Sequence, residues 1–202
     1  MLQRARESAR ATQCASRLRE LGNGLRLYSL SFKDNVPSWS GWQTYGGDGT
    51  GDDDAGLAWT EQLERYYTKP SADGYQCPSF PEENRFNYFL SVRHQFLNTR
   101  KSLRFGEIRL SSSFVIAGDC TQPKLYPPVF GVASSFSLDD ADKDDASQKG
   151  VLFKGEPDGR NLHRNGNNLL FGDNHVSLMD KPELQDVTYH PKRIQSWESI
   201  LP

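Results

Sequence analysis

The sequence has few hydrophobic residues and no long apolar run. Hydrophobic residues make up 36% of the 202 residues, and the mean hydropathy is -0.71. A membrane-spanning helix needs roughly 18 or more predominantly apolar residues in succession, and no stretch of the chain approaches that length. These residues therefore contain no predicted membrane-spanning helix, and we expect the chain as given to be soluble.

An excess of positive charge is also missing. The formal net charge is -2, whereas proteins that bind nucleic acid carry a strongly basic face. We therefore predict no nucleic-acid partner. Basic residues gather in the first 33 positions and acidic residues gather at 48–54 and 139–145. Each of these runs is typical of a solvated face or loop.

Cysteine is scarce. The three cysteines, Cys14, Cys77 and Cys120, have none of the paired spacings of a structural zinc site. An odd count leaves at least one of them unpaired within a monomer. One disulfide is compatible with the sequence, and the residues alone leave all three pairings open.

A proline-free stretch from residue 1 to about residue 33 predicts a long amphipathic helix. Gly22 and Gly24 interrupt it at a cost of roughly 1 kcal/mol each relative to alanine, so we expect the rest of the domain to pack against the helix there. Pro37 follows the predicted end of the helix. Apolar residues recur along one face at steps of four and three, namely Cys14, Leu18, Leu21, Leu25, Tyr28 and Phe32.

The remainder of the chain predicts a short helix over Leu57–Tyr67 and then short strands. The β-rich runs are 86–92, 113–118, 151–154, 168–171 and 175–179. Asp173-Asn174 suits a two-residue type I′ hairpin between the last two runs, because both residues tolerate positive φ.

The predicted fold class is α+β. We expect a long N-terminal helix packed on an antiparallel β-sheet, with long loops and a C-terminal β-hairpin. The chain is predicted to be a single domain over residues 1–202, with the helix in 1–33 and the globular α+β part in 34–202.

Two histidines and a carboxylate form the first candidate site, because His163, Asp173 and His175 are residue types that bind zinc. His175 begins the last predicted strand and Asp173 lies in the predicted turn. A structural role through local hydrogen bonds is therefore favoured for this group, and a metal or ligand site stays the alternative.

An acidic run supplies a candidate calcium site. Asp140, Asp142 and Asp144 place carboxylates at alternate positions, and carboxylate oxygens are the ligands that calcium prefers. The run lacks the glycine and the glutamate of an EF-hand loop, so a solvated loop is favoured. No cofactor is predicted, and calcium at this run is the candidate that the sequence leaves open beside the metal alternative at the histidines.

Aromatic residues form a third candidate. Trp39, Trp42 and Tyr45 can make a platform for a carbohydrate or a protein partner, although core packing is favoured for them. Cys120 is a candidate nucleophile only with an activating base beside it. A buried small residue or half of a disulfide is the favoured role of Cys120.

Five landmarks, in order along the chain, carry a resemblance to a known family. The landmarks are the helix 5–29 with Arg6, Arg10, Cys14, Leu18, Leu21, Gly22, Leu25 and Tyr28; Trp59 with Leu63; Cys77-Pro78-Ser79; the strand that closes on Asp119; and His163 to Met179. With these landmarks the chain resembles the type IV pilin-like proteins (pseudopilins) of the planctomycete type. Asn174 stands where that family usually has glycine, and asparagine is the next best residue for a left-handed turn position.

The resemblance implies a non-enzymatic structural subunit of a type IV pilus-like or type II secretion-like pseudopilus. Its partners would be other pilin-like subunits, the assembly machinery and the inner membrane. The family's prepilin peptidase site and apolar segment are absent from these residues, and we expect them upstream of Met1 in the natural protein. The alternative is a membrane-anchored surface module that binds carbohydrate, calcium or a protein partner.

The resemblance also bears on cysteine and on calcium. It places the globular part in the periplasm or outside the cell, where disulfides persist. Cys14 and Cys77 fall where the family also has cysteine, so the resemblance favours a Cys14–Cys77 disulfide. Some secretion-system pseudopilins carry calcium in a C-terminal loop, which supports the candidate acidic run by analogy.

Overall fold

One long helix lies against a four-stranded antiparallel sheet. The computed structural model describes residues 2–37, 62–67, 77–79, 88–90, 103–119, 162–164, 166–179, 187–188 and 192. The predicted arrangement, an N-terminal helix packed on an antiparallel sheet, is confirmed. Its elements are α1 (Leu2–Ser31), β1 (Tyr88–Leu90), β2 (Val115–Asp119), β3 (Asn167–Phe171) and β4 (Val176–Met179), with a 3₁₀ turn at Phe105–Glu107.

The strands follow one another in the sheet in chain order, β1-β2-β3-β4. The β3–β4 pairing runs from Asn167 opposite Met179 to Leu170 opposite Val176. Every residue of β2 and β3 is buried. The buried residues include the polar side chains of Asp119, Asn167 and Asn168, so neither strand is a continuous apolar run.

The strand predictions agree with the structure to within two residues at each end. Strands β1 to β4 correspond in order to the predicted runs 86–92, 113–118, 168–171 and 175–179. The predicted run 151–154 lies outside the described residues. Of the predicted second helix the structure describes only 62–67, where the Tyr67 N–H donates to the Leu63 carbonyl at 2.9 Å. Leu63 is fully buried, so this single turn belongs to the core.

The buried face of α1 is the predicted stripe with one exception. The predicted residues from Cys14 to Tyr28 are buried, but Phe32 is 45% exposed. The helix ends at Ser31, and Lys33 and Asp34 turn the chain with φ of 54° and 69°. The 3.6-residue period no longer applies past that end, so Phe32 stacks on Tyr28 at a ring distance of 4.2 Å instead of entering the core.

The two halves of α1 differ in burial. All eight buried positions of the 30-residue helix lie between Cys14 and Ser29. Residues 2–13 are exposed or half-buried, and at 1.5 Å per residue they make up about 18 Å of helix. The sheet therefore covers the second half of α1 far more completely than the first half.

Close packing explains the two glycines of α1. A Cβ atom at Gly22 would lie 1.8 Å from Oδ1 of Asn174, and one at Gly24 would lie 3.2 Å from the Tyr66 carbonyl oxygen. The prediction that other parts of the protein pack against the helix at these glycines is confirmed.

The turn between β3 and β4 differs from the predicted two-residue type I′ turn. The connection has three residues, because the Asn174 N–H donates to the Phe171 carbonyl and the Phe171 N–H donates to the His175 carbonyl, both at 2.9 Å. Asn174 has a φ of 75°, and Asp173 does not have a positive φ. A three-residue hairpin needs one left-handed residue at its end rather than two in succession, and Asn174 supplies it.

Candidate metal centre

Four residues from separate segments converge at the edge of the core. Cys14 lies on α1, Cys77 begins the turn 77–79, Asp119 ends β2 and His163 precedes β3. One ligand atom from each of them lies within 4.8 Å of the ligand atoms of the other three. We call this group the Cys-Cys-Asp-His cluster. Cys14, Cys77 and Asp119 are fully buried and His163 is 4% exposed.

Cys14 enters the cluster because it begins the buried stripe of α1. Its thiol donates to Oδ1 of Asp119 at 2.9 Å, and the hydroxyl of Tyr88 lies 3.3 Å from its sulfur. Tyr88 stands opposite Asp119 in the β1–β2 pairing. Residues paired in this way carry their side chains on the same face of the sheet, so the strand register brings the phenol to the cluster.

Asp119 is a buried carboxylate with several partners. Its Oδ2 accepts the backbone N–H of Asn168 at 2.7 Å and lies 3.2 Å from Nε2 of His163. His163 is in turn held by two backbone hydrogen bonds with Gly166, each of 3.0 Å. Such contacts offset part of the cost of taking a carboxylate out of water.

Cys77 completes the cluster from the Cys-Pro-Ser turn. Its sulfur lies 3.5 Å from Nε2 of His163 and accepts the backbone N–H of Ser79 at 3.5 Å. The turn therefore presents the sulfur toward the histidine.

The four groups shift one another's protonation. Burial disfavours the imidazolium of His163, but hydrogen bonds to Asp119 and Cys77 outweigh burial and raise its pKa to about 9. Burial also opposes ionisation of Cys77, yet hydrogen bonds from Cys14 and His163 lower the pKa of its thiol. The pKa of Cys14 rises because of burial, the hydrogen bond with Cys77 and the nearby carboxylate. Cys14 is thus the thiol that keeps its proton.

Cys77, His163 and Asp119 are also the residue types of a nucleophilic triad. In a triad the nucleophile and the carboxylate bind opposite ring nitrogens of the histidine. Here Nε2 of His163 faces both Cys77 and Asp119, whereas its Nδ1 has no hydrogen-bond partner within the described part of the chain. Both sulfurs are fully buried. The arrangement suits several ligands around one point better than attack on a substrate.

A cleft of about 560 Å³ lies beside the cluster. His163 lines it together with Ser79 and Arg164, and the first three turns of α1 contribute Arg4, Glu7 and Arg10. His163 belongs both to the cleft and to the cluster, so the cleft adjoins the cluster.

The predicted group of His163, Asp173 and His175 divides into two places. His163 joins the cluster, whereas Asp173 and His175 pair with each other at the tip of the β3–β4 hairpin. Nδ1 of His175 lies 2.6 Å from Oδ1 of Asp173, which also accepts the His175 backbone N–H at 3.1 Å. The ring of His175 stacks on Phe171 at 4.2 Å. Asn174 lies in the same turn and bonds Asn23 of α1 at 2.8 Å.

Slight burial of Asp173 opposes its ionisation, but the hydrogen bonds from His175 outweigh burial. They lower the pKa of the Asp173 carboxyl. The pair is therefore a local electrostatic contact at the hairpin tip.

The other predicted sites are placed as follows. Cys14 and Cys77 lie close together in the Cys-Cys-Asp-His cluster, and their disulfide stays a prediction. Three other predicted sites lie outside the described residues. They are the candidate calcium residues Asp140, Asp142 and Asp144, the aromatic group Trp39, Trp42 and Tyr45, and Cys120.

Sequence reasoning did not bring the four cluster residues together. Cys14, Cys77, Asp119 and His163 each stand in one of the five landmarks, but no short spacing joins them. The signal available was that four separate landmarks each contribute one residue that can bind a metal.

Comparisons of the chain with protein-family models, with curated proteins and with solved structures found no match. No helix among the described residues combines the length and the apolar character needed to cross a membrane.

Proposed function

We propose that the chain is the exposed globular part of a pilin-like structural subunit. The subunit belongs to a type IV pilus-like or type II secretion-like pseudopilus and has no enzymatic activity. An apolar segment outside these residues anchors it in the inner membrane, and the globular part faces the periplasm or the exterior. Other pilin-like subunits and the assembly machinery are its partners.

The burial pattern of α1 is the observation that carries this proposal. In this helix of 30 residues, all the buried positions lie from Cys14 onward. The second half fixes the helix to the sheet, and the first half leaves most of its side chains exposed. In the filament-forming members of the family that the sequence resembles, this part of the helix packs against neighbouring subunits.

The charge of the first half of α1 fits a place near the membrane. Arg4, Arg6 and Arg10 are exposed, and Glu7 is the one acidic residue among them. Basic residues next to an anionic lipid surface contribute about 1 kcal/mol each to membrane attraction. These arginines can therefore meet lipid head groups or acidic patches of adjacent subunits.

Cysteine cross-linking in cells that produce the full natural protein tests the proposal. Arg6→Cys and Arg10→Cys place a thiol on the exposed half of α1, and Arg109→Cys is a matched control at an exposed position outside the helix. We expect mild oxidation of intact envelopes to give cross-linked dimers and higher species for the two helix variants. Arg109→Cys should match the unsubstituted parent. Equal cross-linking of all three variants and the parent would contradict the proposal.

A further inference from the structure

We propose that Cys14, Cys77, Asp119 and His163 bind one structural Zn²⁺ ion inside the protein. This inference goes beyond the proposed assembly role and does not depend on it, because the site lies within one chain. The four residues supply two sulfurs, one imidazole nitrogen and one carboxylate oxygen within 4.8 Å of one another.

The distances between the ligand atoms fit a tetrahedral zinc site. Zinc binds sulfur at about 2.3 Å and nitrogen or oxygen at about 2.0–2.2 Å, so neighbouring ligand atoms are about 3.3–3.8 Å apart. The Cys77–His163 distance of 3.5 Å and the His163–Asp119 distance of 3.2 Å are close to that range. The Cys14–Asp119 contact of 2.9 Å is a hydrogen bond, and it lengthens when the thiol proton leaves and the metal takes its place.

The types of ligand atom favour zinc over calcium and magnesium. Thiolate and imidazole ligands suit zinc, whereas calcium and magnesium prefer oxygen ligands alone. Four protein ligands leave no open position, which is the pattern of a structural rather than a catalytic zinc site. The Cys-Cys-Asp-His cluster is thus a different kind of site from the acidic run considered for calcium.

In metal sites, neighbouring groups form hydrogen bonds with the ligand residues and orient them. The proposed ligands have such neighbours. The Asn168 N–H fixes the carboxylate of Asp119, and the Ser79 N–H points to the sulfur of Cys77. The Tyr88 hydroxyl lies beside the sulfur of Cys14. From there the phenol O–H can donate a hydrogen bond to a thiolate.

Burial supplies the energetic reason for a cation. An ionised carboxylate or thiolate is costly in the interior unless a charge compensates it. Asp119 and both cysteines are fully buried. A Zn²⁺ ion neutralises three anionic ligands far better than one imidazolium does, and its binding free energy becomes folding free energy. The ion would tie α1 to the 77–79 turn, to β2 and to the segment before β3.

A disulfide between Cys14 and Cys77 would use the same two sulfurs, so one molecule cannot hold both the bond and the ion. A disulfide gives no role to the imidazole and the carboxylate that lie at the same point. The complete set of four groups therefore favours the metal.

Metal reconstitution of the whole chain tests the proposal. The protein, produced without a histidine tag, is reduced, freed of metal with a chelator and titrated anaerobically with zinc and, separately, with cobalt. We expect one equivalent of either metal per chain. Bound cobalt should show the intense visible bands of a tetrahedral site together with a near-ultraviolet thiolate-to-cobalt band. Zinc should raise the melting temperature of the metal-free protein.

Variants of the proposed ligands, each with a matched control variant, test which residues bind the metal. His163→Gln and Asp119→Asn should weaken zinc binding by at least about tenfold, since even the loss of an outer-shell partner costs that much. His175→Gln and Asp173→Asn make the same chemical changes at the exposed hairpin pair and should bind zinc as the parent does. Equal losses in both pairs of variants would overturn the assignment.

The unsubstituted protein decides the case even where a buried variant fails to fold. Cobalt bound without a thiolate band, or failure of the reduced protein to take up zinc, would overturn the proposal. So would a Cys14–Cys77 disulfide found by mass spectrometry of the unreduced protein, if zinc then fails to bind after reduction.

Discussion

Gly22 lies in the middle of α1 against the side chains of Asn174 and Leu170. A Cβ atom there would lie 1.8 Å from Oδ1 of Asn174, and that side chain also donates to Asn23 at 2.8 Å. We expect Gly22→Ala to lower the free energy of unfolding by about 1–3 kcal/mol, since overpacking of this kind outweighs the gain of roughly 1 kcal/mol in helix propensity. Urea denaturation measures the change.

A double variant separates the clash from other effects. Asn174→Gly removes the obstructing oxygen and suits the φ of 75° at that position. In that background Gly22→Ala should be neutral or stabilising, so the two substitutions should show strong non-additivity. Additive effects would refute the contact as the cause.

The Asp173–His175 pair predicts a weak pH dependence. The hydrogen bonds from His175 lower the pKa of Asp173 in the folded protein, so the pair stabilises the fold above the unfolded carboxyl pKa of about 3.9. That stability is lost as the pH falls through the lower folded pKa. Because the pair is exposed, Asp173→Asn should cost less than about 1 kcal/mol at pH 6.

Denaturation of the parent and of Asp173→Asn between pH 2 and pH 6 checks this prediction. The difference in the free energy of unfolding should disappear at the acidic end of that range. In a His175→Gln background the substitution should have a smaller effect, because only the backbone N–H of residue 175 then still donates to the carboxylate. A difference that persists at the lowest pH would point to a turn effect of the asparagine instead.

At the scale of elements, the two faces of α1 should respond very differently to the same substitution. Leu18 is fully buried and Leu30 is 82% exposed. Leu18→Ala should lower the free energy of unfolding by about 2–5 kcal/mol because it leaves a cavity, whereas Leu30→Ala should change it by no more than about 0.5 kcal/mol. Thermal or urea unfolding of both variants measures the two changes. Both are leucine-to-alanine substitutions in the same helix, so the burial of the side chain is what differs between them.

The helix and the strands were predictable for local reasons. The four-three spacing from Cys14 to Tyr28 depends only on the period of the α-helix, so the buried face of α1 could be predicted from order along the chain. The prediction failed at Phe32, because the helix ends before it and the period stops there. The strands could be predicted from short runs of apolar residues between turn residues, but the register that places Tyr88 opposite Asp119 could not.

At the scale of the whole molecule, the proposed zinc ion predicts where local unfolding begins. Its four ligands lie in four separate segments, namely α1, the 77–79 turn, β2 and the segment before β3. Removal of zinc should therefore speed amide hydrogen exchange in residues 77–79 and 162–164 more than in the second half of α1, which has its own apolar core contacts. Hydrogen exchange followed by mass spectrometry, with and without chelator, measures this difference. An equal increase in exchange rate in all of these segments would contradict a local stabilising effect of the ion.

The sequence by itself determined the long helix with its buried face, the approximate places of four strands and the need for close packing at Gly22 and Gly24. Each of these follows from the identity and period of neighbouring residues. Only the tertiary structure decided that Cys14, Cys77, Asp119 and His163 meet while His175 stays with Asp173. Contacts between residues far apart in sequence depend on strand register and helix placement, and no local pattern records them.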